Sequence, residues 1–392
     1  MSRRSLLLIS VVAVVALVAV AVPLYDWRAS VSDASSSADA SEGYVQKNLV
    51  ANWEGYRPEI VEPELKNAWG ISMRPAGEGG HFWITANGSG TSFEYIGDVP
   101  GTPLEQDDLE EVAVPGPGGK QGTPTGTVFN ETGTGFRITQ ADPDGKISAP
   151  AKFLFSTDEG VVTAWTEREN EDGSFDRPTR SQVVLDRSKQ GDQYFGMAIS
   201  PDDDRVYLAN FGEKPGVVVL DDRFRVRPGG FANPFSDAYA PFNVQTVGDS
   251  VFVAYAEQAG PGEEEPAPGQ GRLAEFTPDG KLVTTWDGGR YLNAPWGITR
   301  APESGFGPHS GSLLVSNFGD GTVAVLDPET HEAVDFLRDP DGNRVEIDGI
   351  WGLAFGNGES LGMADALYFA AGPGPEADGL FGRITFGERD LS

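Results

Sequence analysis

The chain has 392 residues, with 29 basic and 59 acidic side chains and a formal charge of −30. This charge excludes a protein that binds nucleic acid or anionic lipid through general electrostatics, because such binding requires clustered basic side chains. The absence of cysteine excludes disulfides, thiolate metal sites and thiol nucleophiles. With 51 glycines, 28 prolines and 39% hydrophobic residues, the composition is typical of a turn-rich, all-β globular protein.

Residues 1–28 have the features of an export segment. Arg3 and Arg4 precede an apolar run over residues 6–22. A cleaved signal peptide usually has an apolar core of about 7–15 residues, whereas a membrane span needs about 17–25. A signal peptide and an N-terminal membrane anchor therefore both stay open. Either one predicts an extracytoplasmic protein, secreted or anchored to the cell membrane, that contacts the membrane only through this segment.

Residues 29–43 are small and polar, which predicts a flexible linker ahead of a folded domain at residues 44–388. One sequence unit recurs along this domain. It opens with a short apolar strand and continues with a strand, a tight turn and another strand, as in residues 293–298 and 313–327. The first strands are centred at residues 69, 125, 195, 243, 296 and 351.

Spacings of this size are typical of four-stranded propeller blades with loop insertions. The sequence therefore predicts an all-β fold, a six-bladed β-propeller with four-stranded blades. A β-sandwich, the alternative, would not repeat Trp-Gly-Ile at the head of a unit. The last unit supplies only three strands, and the strand at residues 44–50 has no unit of its own. We expect this N-terminal strand to complete the last blade and close the ring.

Several long runs carry a family resemblance. Residues 293–298 (NAPWGI), 316–321 (SNFGDG), 347–358 (IDGIWGLAFGNG) and 376–384 (EADGLFGRI) resemble an uncharacterised family of exported bacterial conserved hypothetical proteins. The resemblance covers residues 48 to about 386. It implies a six-bladed propeller related in shape to the NHL-repeat and gluconolactonase-like groups, but no particular activity. The C-terminal sorting tail of some family members has no match here.

In a propeller, the loops that enter the inner strands and those that join the second and third strands open on one face. We call this face the mouth. The units predict an oxygen-rich set of ligand-binding residues at or near it: Asn67, Asn87, Asp158, Asn243 and Asn293. Further oxygens come from Asn210, Asn317, Asp348 and Glu257, which we predict to bind calcium because calcium takes carboxylate and amide oxygens. The structural alternative is that each asparagine forms a tight turn, since asparagine tolerates positive φ.

Two functions stay open. The first is a monomeric ligand-binding module for a small molecule, sugar or peptide. In this hypothesis Trp296 and Trp351 present flat apolar faces at the mouth, although packing between blades also explains them. The second, implied by the gluconolactonase-like resemblance, is a divalent-metal-dependent lactonase or related hydrolase. The first-position glutamate of that group is replaced here by Asn67.

Overall fold

The computed structural model describes residues 42–131, 134–142 and 145–388. The predicted export segment 1–28 and linker residues 29–41 lie outside the described residues. Within the described ranges, no helix has the length and hydrophobicity needed to cross a membrane.

The described chain forms six four-stranded antiparallel blades, which confirms the predicted propeller. Each innermost strand contacts the innermost strands of both neighbouring blades, so the six strands close into a ring. From innermost to outermost strand, blade 1 consists of Ala68–Ser72, Phe82–Ala86, Thr91–Tyr95 and Glu111–Ala113. Blade 2 consists of Pro124–Phe129, Phe153–Thr157, Val161–Trp165 and Gln182–Asp186. Blade 3 consists of Tyr194–Ile199, Arg205–Asn210, Gly216–Asp221 and Val226–Arg227. In the same order, blade 4 consists of Tyr239–Val247, Ser250–Gly260, Gly271–Phe276 and Leu282–Trp286. Blade 5 consists of Pro295–Arg300, Leu313–Asn317, Val323–Asp327 and Glu332–Phe336. Blade 6 consists of Ile350–Phe355, Leu367–Ala371, Leu380–Phe386 and Tyr44–Ala51.

Short elements decorate the blades. Ile60–Val61 runs parallel to the closing strand, and Glu263–Glu264 pairs with the second strand of blade 4. Two additional hairpins comprise Arg137–Asp142 with Gly145–Pro150, and Arg168–Glu169 with Phe175–Asp176. The described 3₁₀ turns are Glu54–Tyr56, Pro117–Gly119, Ser188–Gln190, Gly289–Tyr291 and Gly307–His309.

The ring closes as the strand count predicts. Tyr44–Ala51 pairs antiparallel with Leu380–Phe386, from Tyr44 opposite Phe386 to Ala51 opposite Leu380. The Tyr44 side chain is buried, and its hydroxyl donates to the Phe306 carbonyl at 2.9 Å. The N-terminal strand is thus the outer strand of blade 6 and also contacts blade 5.

The glycine that follows the aromatic residue of the repeat has a packing role. A Cβ on Gly70 would lie 2.6 Å from the Thr125 carbonyl oxygen, and a Cβ on Gly352 would lie 2.4 Å from the Trp69 carbonyl oxygen. Neighbouring innermost strands therefore approach backbone to backbone at these positions. The Trp-Gly repeat is explained by this close approach.

Aromatic side chains from five innermost strands meet on the propeller axis and fill the channel. We call this set the aromatic plug; it comprises Trp69, Phe195, Phe242, Trp296 and Trp351. Trp69 stacks on Trp351 with a centroid distance of 3.7 Å, and Trp296 lies edge-on to Trp351 at 5.8 Å. The Trp296 indole N–H donates to the Phe195 carbonyl at 3.0 Å. The plug thus ties non-adjacent blades together across the axis.

One buried acid is not paired. Glu94, on the third strand of blade 1, is fully buried, and neither carboxyl oxygen has a hydrogen-bond partner of normal geometry. Burial raises the pKa of Glu94 well above its usual value, and the nearby Ser92 hydroxyl opposes this only in part. The folded state therefore holds the proton of Glu94 more tightly than the unfolded chain does.

We expect Glu94→Met to stabilise the protein by about 1–3 kcal/mol at pH 7, because it removes a buried polar group without partners. Wild type loses stability as pH rises from the ordinary glutamate range through the raised pKa of Glu94. The stability advantage of Glu94→Met over wild type should therefore shrink towards pH 4. Urea unfolding at several pH values measures this difference. The exposed strand residue Glu332, changed to Met, is the control; a pH-independent difference for Glu94→Met would contradict the argument.

Candidate functional site

The asparagines that end the second strands of blades 3 and 5 hold turns at the mouth. The Asn210 side-chain oxygen accepts from the backbone N–H groups of Gln193 at 2.8 Å and Gly212 at 3.0 Å. In blade 5, the Asn317 oxygen accepts from the Asn293 N–H at 3.0 Å, and its amide donates to the Tyr291 carbonyl at 2.7 Å. The side chain thus joins the loop entering each blade to the loop after its second strand.

The other predicted calcium ligands are placed differently. Asp348 is exposed, and its carboxylate accepts from the Gly374 N–H at 3.0 Å. Glu257 lies half-buried on the second strand of blade 4. Among the described residues, no three acidic or histidine side chains cluster in a metal-binding arrangement. With the Asn210 and Asn317 oxygens occupied by backbone donors, this set does not fit a calcium ion as it stands, and calcium binding stays a prediction.

Two predicted ligand-binding residues lie at the mouth in contact with acidic groups. Asn67 is buried; its amide donates to Glu376 at 3.1 Å, and its oxygen accepts from the Trp351 indole at 3.2 Å. The Asn87 amide donates to Asp158 at 2.9 Å. These asparagines therefore orient carboxylates of the mouth loops.

The remaining predicted ligand-binding residues are interior or engaged in turns. Asn293 is buried and donates to Asp320 at 3.1 Å. Asn243 lies within the innermost strand of blade 4 and donates to the Trp296 carbonyl at 2.8 Å. Trp296 is 4% exposed and Trp351 is 1% exposed. The two tryptophans pack in the channel, where they form a floor beneath the mouth loops.

An insertion in blade 4 reaches across the mouth. It runs from the end of Ser250–Gly260 to Gly271 and contains Glu263–Glu264. Its Gly262 N–H donates to the Phe211 carbonyl of blade 3 at 2.9 Å, and its Gly269 N–H donates to the Leu292 carbonyl at the entrance to blade 5 at 2.9 Å. We call residues 261–270 the bridging loop, because they connect blades 3, 4 and 5 at the mouth.

A cavity of about 510 Å³ lies between the bridging loop and the loops of blades 2 and 3. We call it the mouth cavity. Phe195 of the plug contributes to it, and four acidic side chains line it: Asp158, Glu159, Asp192 and Glu213. The residues that line it include no lysine, arginine or histidine. The mouth cavity is therefore a strongly negative site.

Only one of these four acids has a basic partner among the described residues. Asp192 accepts from Arg187 Nε at 2.5 Å and from the Tyr194 hydroxyl at 2.9 Å. Burial raises the pKa of Asp158, against hydrogen bonds from Thr123 and Asn87 that lower it. Burial and the negative charge of Asp158 also raise the pKa of Glu159. The cavity therefore carries negative charge that the protein itself leaves unneutralised.

Further acidic groups approach the mouth cavity. Burial of its carboxyl group raises the pKa of Glu376 in blade 6, and the negative charges of Glu264 and Asp158 raise it further. These three residues belong to blades 6, 4 and 2, which alternate around the ring. Loops of alternate blades come close only near the axis, so the carboxylates converge over the plug. Glu376 was not among the predicted site residues, and an acidic run such as residues 263–265 is normally solvated surface.

Comparison with known proteins gives relatives of viral origin. No protein-family profile matches the chain. It is 29% identical over 333 residues to uncharacterized protein R648 of Acanthamoeba polyphaga mimivirus, covering 83% of this chain and 76% of that protein. It is 28% identical over 342 residues to uncharacterized protein L690 of the same virus, covering 83% and 81%. The bacterial part of the predicted family resemblance has no support in these relatives.

Solved structures that match the chain include a lyase and a dehydrogenase. A streptogramin B lyase matches with a TM-score of 0.46 and 11% identity, covering 88% of this chain and 98% of the other. A glucose dehydrogenase matches with a TM-score of 0.48 and 12% identity, covering 88% and 100%. At these values the likeness carries no functional inference.

Proposed function

We propose that the protein is an exported ligand-binding propeller whose mouth cavity takes a small organic cation such as an amine. The observation that carries the proposal is the cavity lining: four carboxyl groups and no basic side chain. Cavities of about 300–1,000 Å³ are the usual size for small-molecule sites. A diamine would supply the positive charge that this lining lacks.

The chemistry of the floor supports an organic cation over a bare metal ion. The Phe195 ring and Pro261 contribute apolar surface to a cavity whose other side chains are polar. Methylene groups and an ammonium group both interact favourably with an aromatic ring, through apolar burial and the cation–π interaction. A hard metal ion needs six or more oxygens at bonding distance, which turn asparagines already bonded to backbone N–H groups do not supply.

The proposal predicts that putrescine binds to the purified propeller domain and that Glu159→Gln and Glu213→Gln each weaken binding at least about fivefold, because each removes one negative charge from the cavity. Isothermal titration calorimetry measures the affinity. The matched control is Glu329→Gln, an exposed glutamate on a turn of the opposite face, which should leave the affinity unchanged. Glucose should not compete.

Putrescine affinity should also fall with acidification. Because the pKa values of Asp158 and Glu159 are raised, these groups take up protons at a higher pH than ordinary carboxylates, and the cavity then loses its charge. Added salt should weaken binding as well. A putrescine affinity that is absent, or equal in wild type and both cavity variants, would contradict the proposal.

The hydrolase alternative is tested in the same series with calcium chloride in place of putrescine. Calcium that raises the melting temperature of wild type but not of Asp348→Asn would support the predicted calcium set and the metal-dependent hydrolase. Equal shifts in both proteins, or none, would mean that the asparagines of the mouth serve as turn residues.

A further inference from the structure

Two acceptors in the wall of the mouth cavity receive no hydrogen bond from the protein. Among the described residues, Glu159 Oε2 and Gln193 Oε1 are buried atoms without a hydrogen-bond partner. Both residues line the mouth cavity. Burial of an acceptor without a donor costs stability, and such groups are rare in native proteins. Two of them in one cavity are explained if a ligand supplies the donors.

Two other acids of the cavity already have donors within the protein. Asp158 accepts from the Asn87 amide at 2.9 Å, and Asp192 accepts from the Tyr194 hydroxyl at 2.9 Å. These acids contribute negative charge to the cavity, but neighbouring side chains already donate to them. The acceptors that remain for a ligand include Gln193, which is uncharged. A cavity that only had to attract positive charge would not require this amide.

The position of Gln193 is fixed at the entrance to blade 3. Its backbone N–H donates to the Asn210 side-chain oxygen at 2.8 Å. A Cβ on Gly262 would lie 2.3 Å from Gln193 Oε1, so the backbone of the bridging loop lies directly against the amide. The Gly262 N–H donates to the Phe211 carbonyl and is not available to Gln193. The terminal torsion of a glutamine is soft, so the amide can turn its oxygen towards a ligand in the cavity.

Organic cations differ in whether they carry N–H donors. A primary ammonium group has three N–H bonds, whereas a quaternary ammonium group has none and is recognised by cages of aromatic side chains. Phe195 is the one aromatic residue among those that line the mouth cavity. The walls of the mouth cavity thus offer acceptors for N–H groups and lack the cage that suits a fully methylated cation.

We propose that the mouth cavity selects a primary ammonium ion over a quaternary ammonium ion, and that Gln193 determines this selection. The inference rests on the proposed function, because it specifies which organic cations the cavity takes. N–H groups of the ligand donate to Glu159 and to the Gln193 oxygen, and the methylene groups of the ligand pack on Phe195. The carboxylates attract either kind of cation, but the Gln193 oxygen stabilises only the kind that donates.

The experiment compares putrescine with its fully methylated derivative, 1,4-bis(trimethylammonio)butane, by calorimetry on the purified full-length protein. The two ligands have the same carbon chain and the same charge, and only putrescine has N–H donors. We expect wild type to bind putrescine at least about tenfold more tightly, because only putrescine forms charge-assisted hydrogen bonds. Gln193→Met keeps the length of the side chain without its amide acceptor, and should reduce the ratio of the two affinities at least about fivefold.

The control is Gln182→Met, which changes an exposed glutamine on the outermost strand of blade 2 and should leave both affinities unchanged. Equal affinities for the two ligands in wild type, with both lost in Glu159→Gln, would keep the cation site and overturn the selection. A preference that persists unchanged in Gln193→Met would come from the size of the methyl groups and would also overturn it. No binding of either ligand would contradict the proposed function itself.

If Gln193→Met does not fold, a third ligand separates hydrogen bonding from size in wild type. The ligand 1,4-bis(dimethylammonio)butane is almost as bulky as the fully methylated derivative, but each of its nitrogens keeps one N–H. We expect it to bind more tightly than the fully methylated derivative, because it donates to the acceptors of the cavity. Equal affinities for these two ligands would overturn the proposal.

Discussion

Removal of residues 1–51 should open the propeller and cause aggregation or a fall in melting temperature of about 10 °C or more. The deletion strips blade 6 of its outer strand and uncovers the full edge of Leu380–Phe386. It also removes the buried side chains of Tyr44, Leu49 and Val50, each worth about 1.5–3 kcal/mol of apolar burial. Differential scanning calorimetry and light scattering measure both outcomes.

The matched control is a chain that begins at Ser41 and keeps the closing strand. Its melting temperature should equal that of the full-length protein. The closing strand holds blade 5 as well, because the Tyr44 N–H donates to the Arg338 carbonyl at 2.8 Å. A chain beginning at Asn52 that melts within a degree or two of the control would show that the strand is dispensable.

The second large effect is expected where blades 6 and 1 meet. Arg383, on the third strand of blade 6, forms a buried ion pair with Asp98 in the loop after the third strand of blade 1, and both side chains are 2% exposed. The Tyr368 hydroxyl also donates to Asp98. Arg383→Met should cost about 3–5 kcal/mol, because it leaves a buried carboxylate without its counter-charge.

Asp98→Asn combined with Arg383→Met should recover a large part of this loss, since neither charge then stays buried alone. Urea unfolding of the two single variants and the double variant gives the coupling energy. Lys47→Met is the control. Lys47 lies opposite Arg383 on the closing strand, but its ion pair with Glu59 is solvent-exposed, so its loss should cost less than about 1 kcal/mol. A double variant no better than the sum of the single variants would contradict the pairing.

The fold was predictable because close packing of the innermost strands imposes a repeat on the sequence. In blades 1, 3, 5 and 6 a glycine follows the aromatic residue of the innermost strand, and at Gly70 and Gly352 it allows the close approach of the neighbouring innermost strand, which explains the Trp-Gly spacing. The count of strands then predicted the closing strand. The positions of the asparagines at the mouth were equally predictable, but the same spacing fits a turn residue and a ligand. Only the hydrogen bonds of Asn210 and Asn317 show what their oxygens contact.

The mouth cavity could not be predicted, because it depends on contacts between distant segments. Acidic residues in an insertion are normally solvated, but the hydrogen bonds from Gly262 to Phe211 and from Gly269 to Leu292 hold the bridging loop over the mouth. On the opposite face, Arg74 pairs with Glu167 from another blade, at a sequence separation of 93 residues. No local motif marks either arrangement. The oxygen-rich loops could be identified from the sequence, but the shape of the cavity that they enclose could not.

The position of the closing strand also determines the order in which the chain can fold during its synthesis. Tyr44–Ala51 emerges from the ribosome before any blade, and its partner Leu380–Phe386 emerges after all the others. Blades 1 to 5 can form as they appear, whereas blade 6 waits for the two ends of the domain to meet, a contact of very high sequence separation. Until then the first strand lacks its antiparallel partner and the nascent ring presents open edges. We therefore expect ring closure to be the last and slowest step of folding.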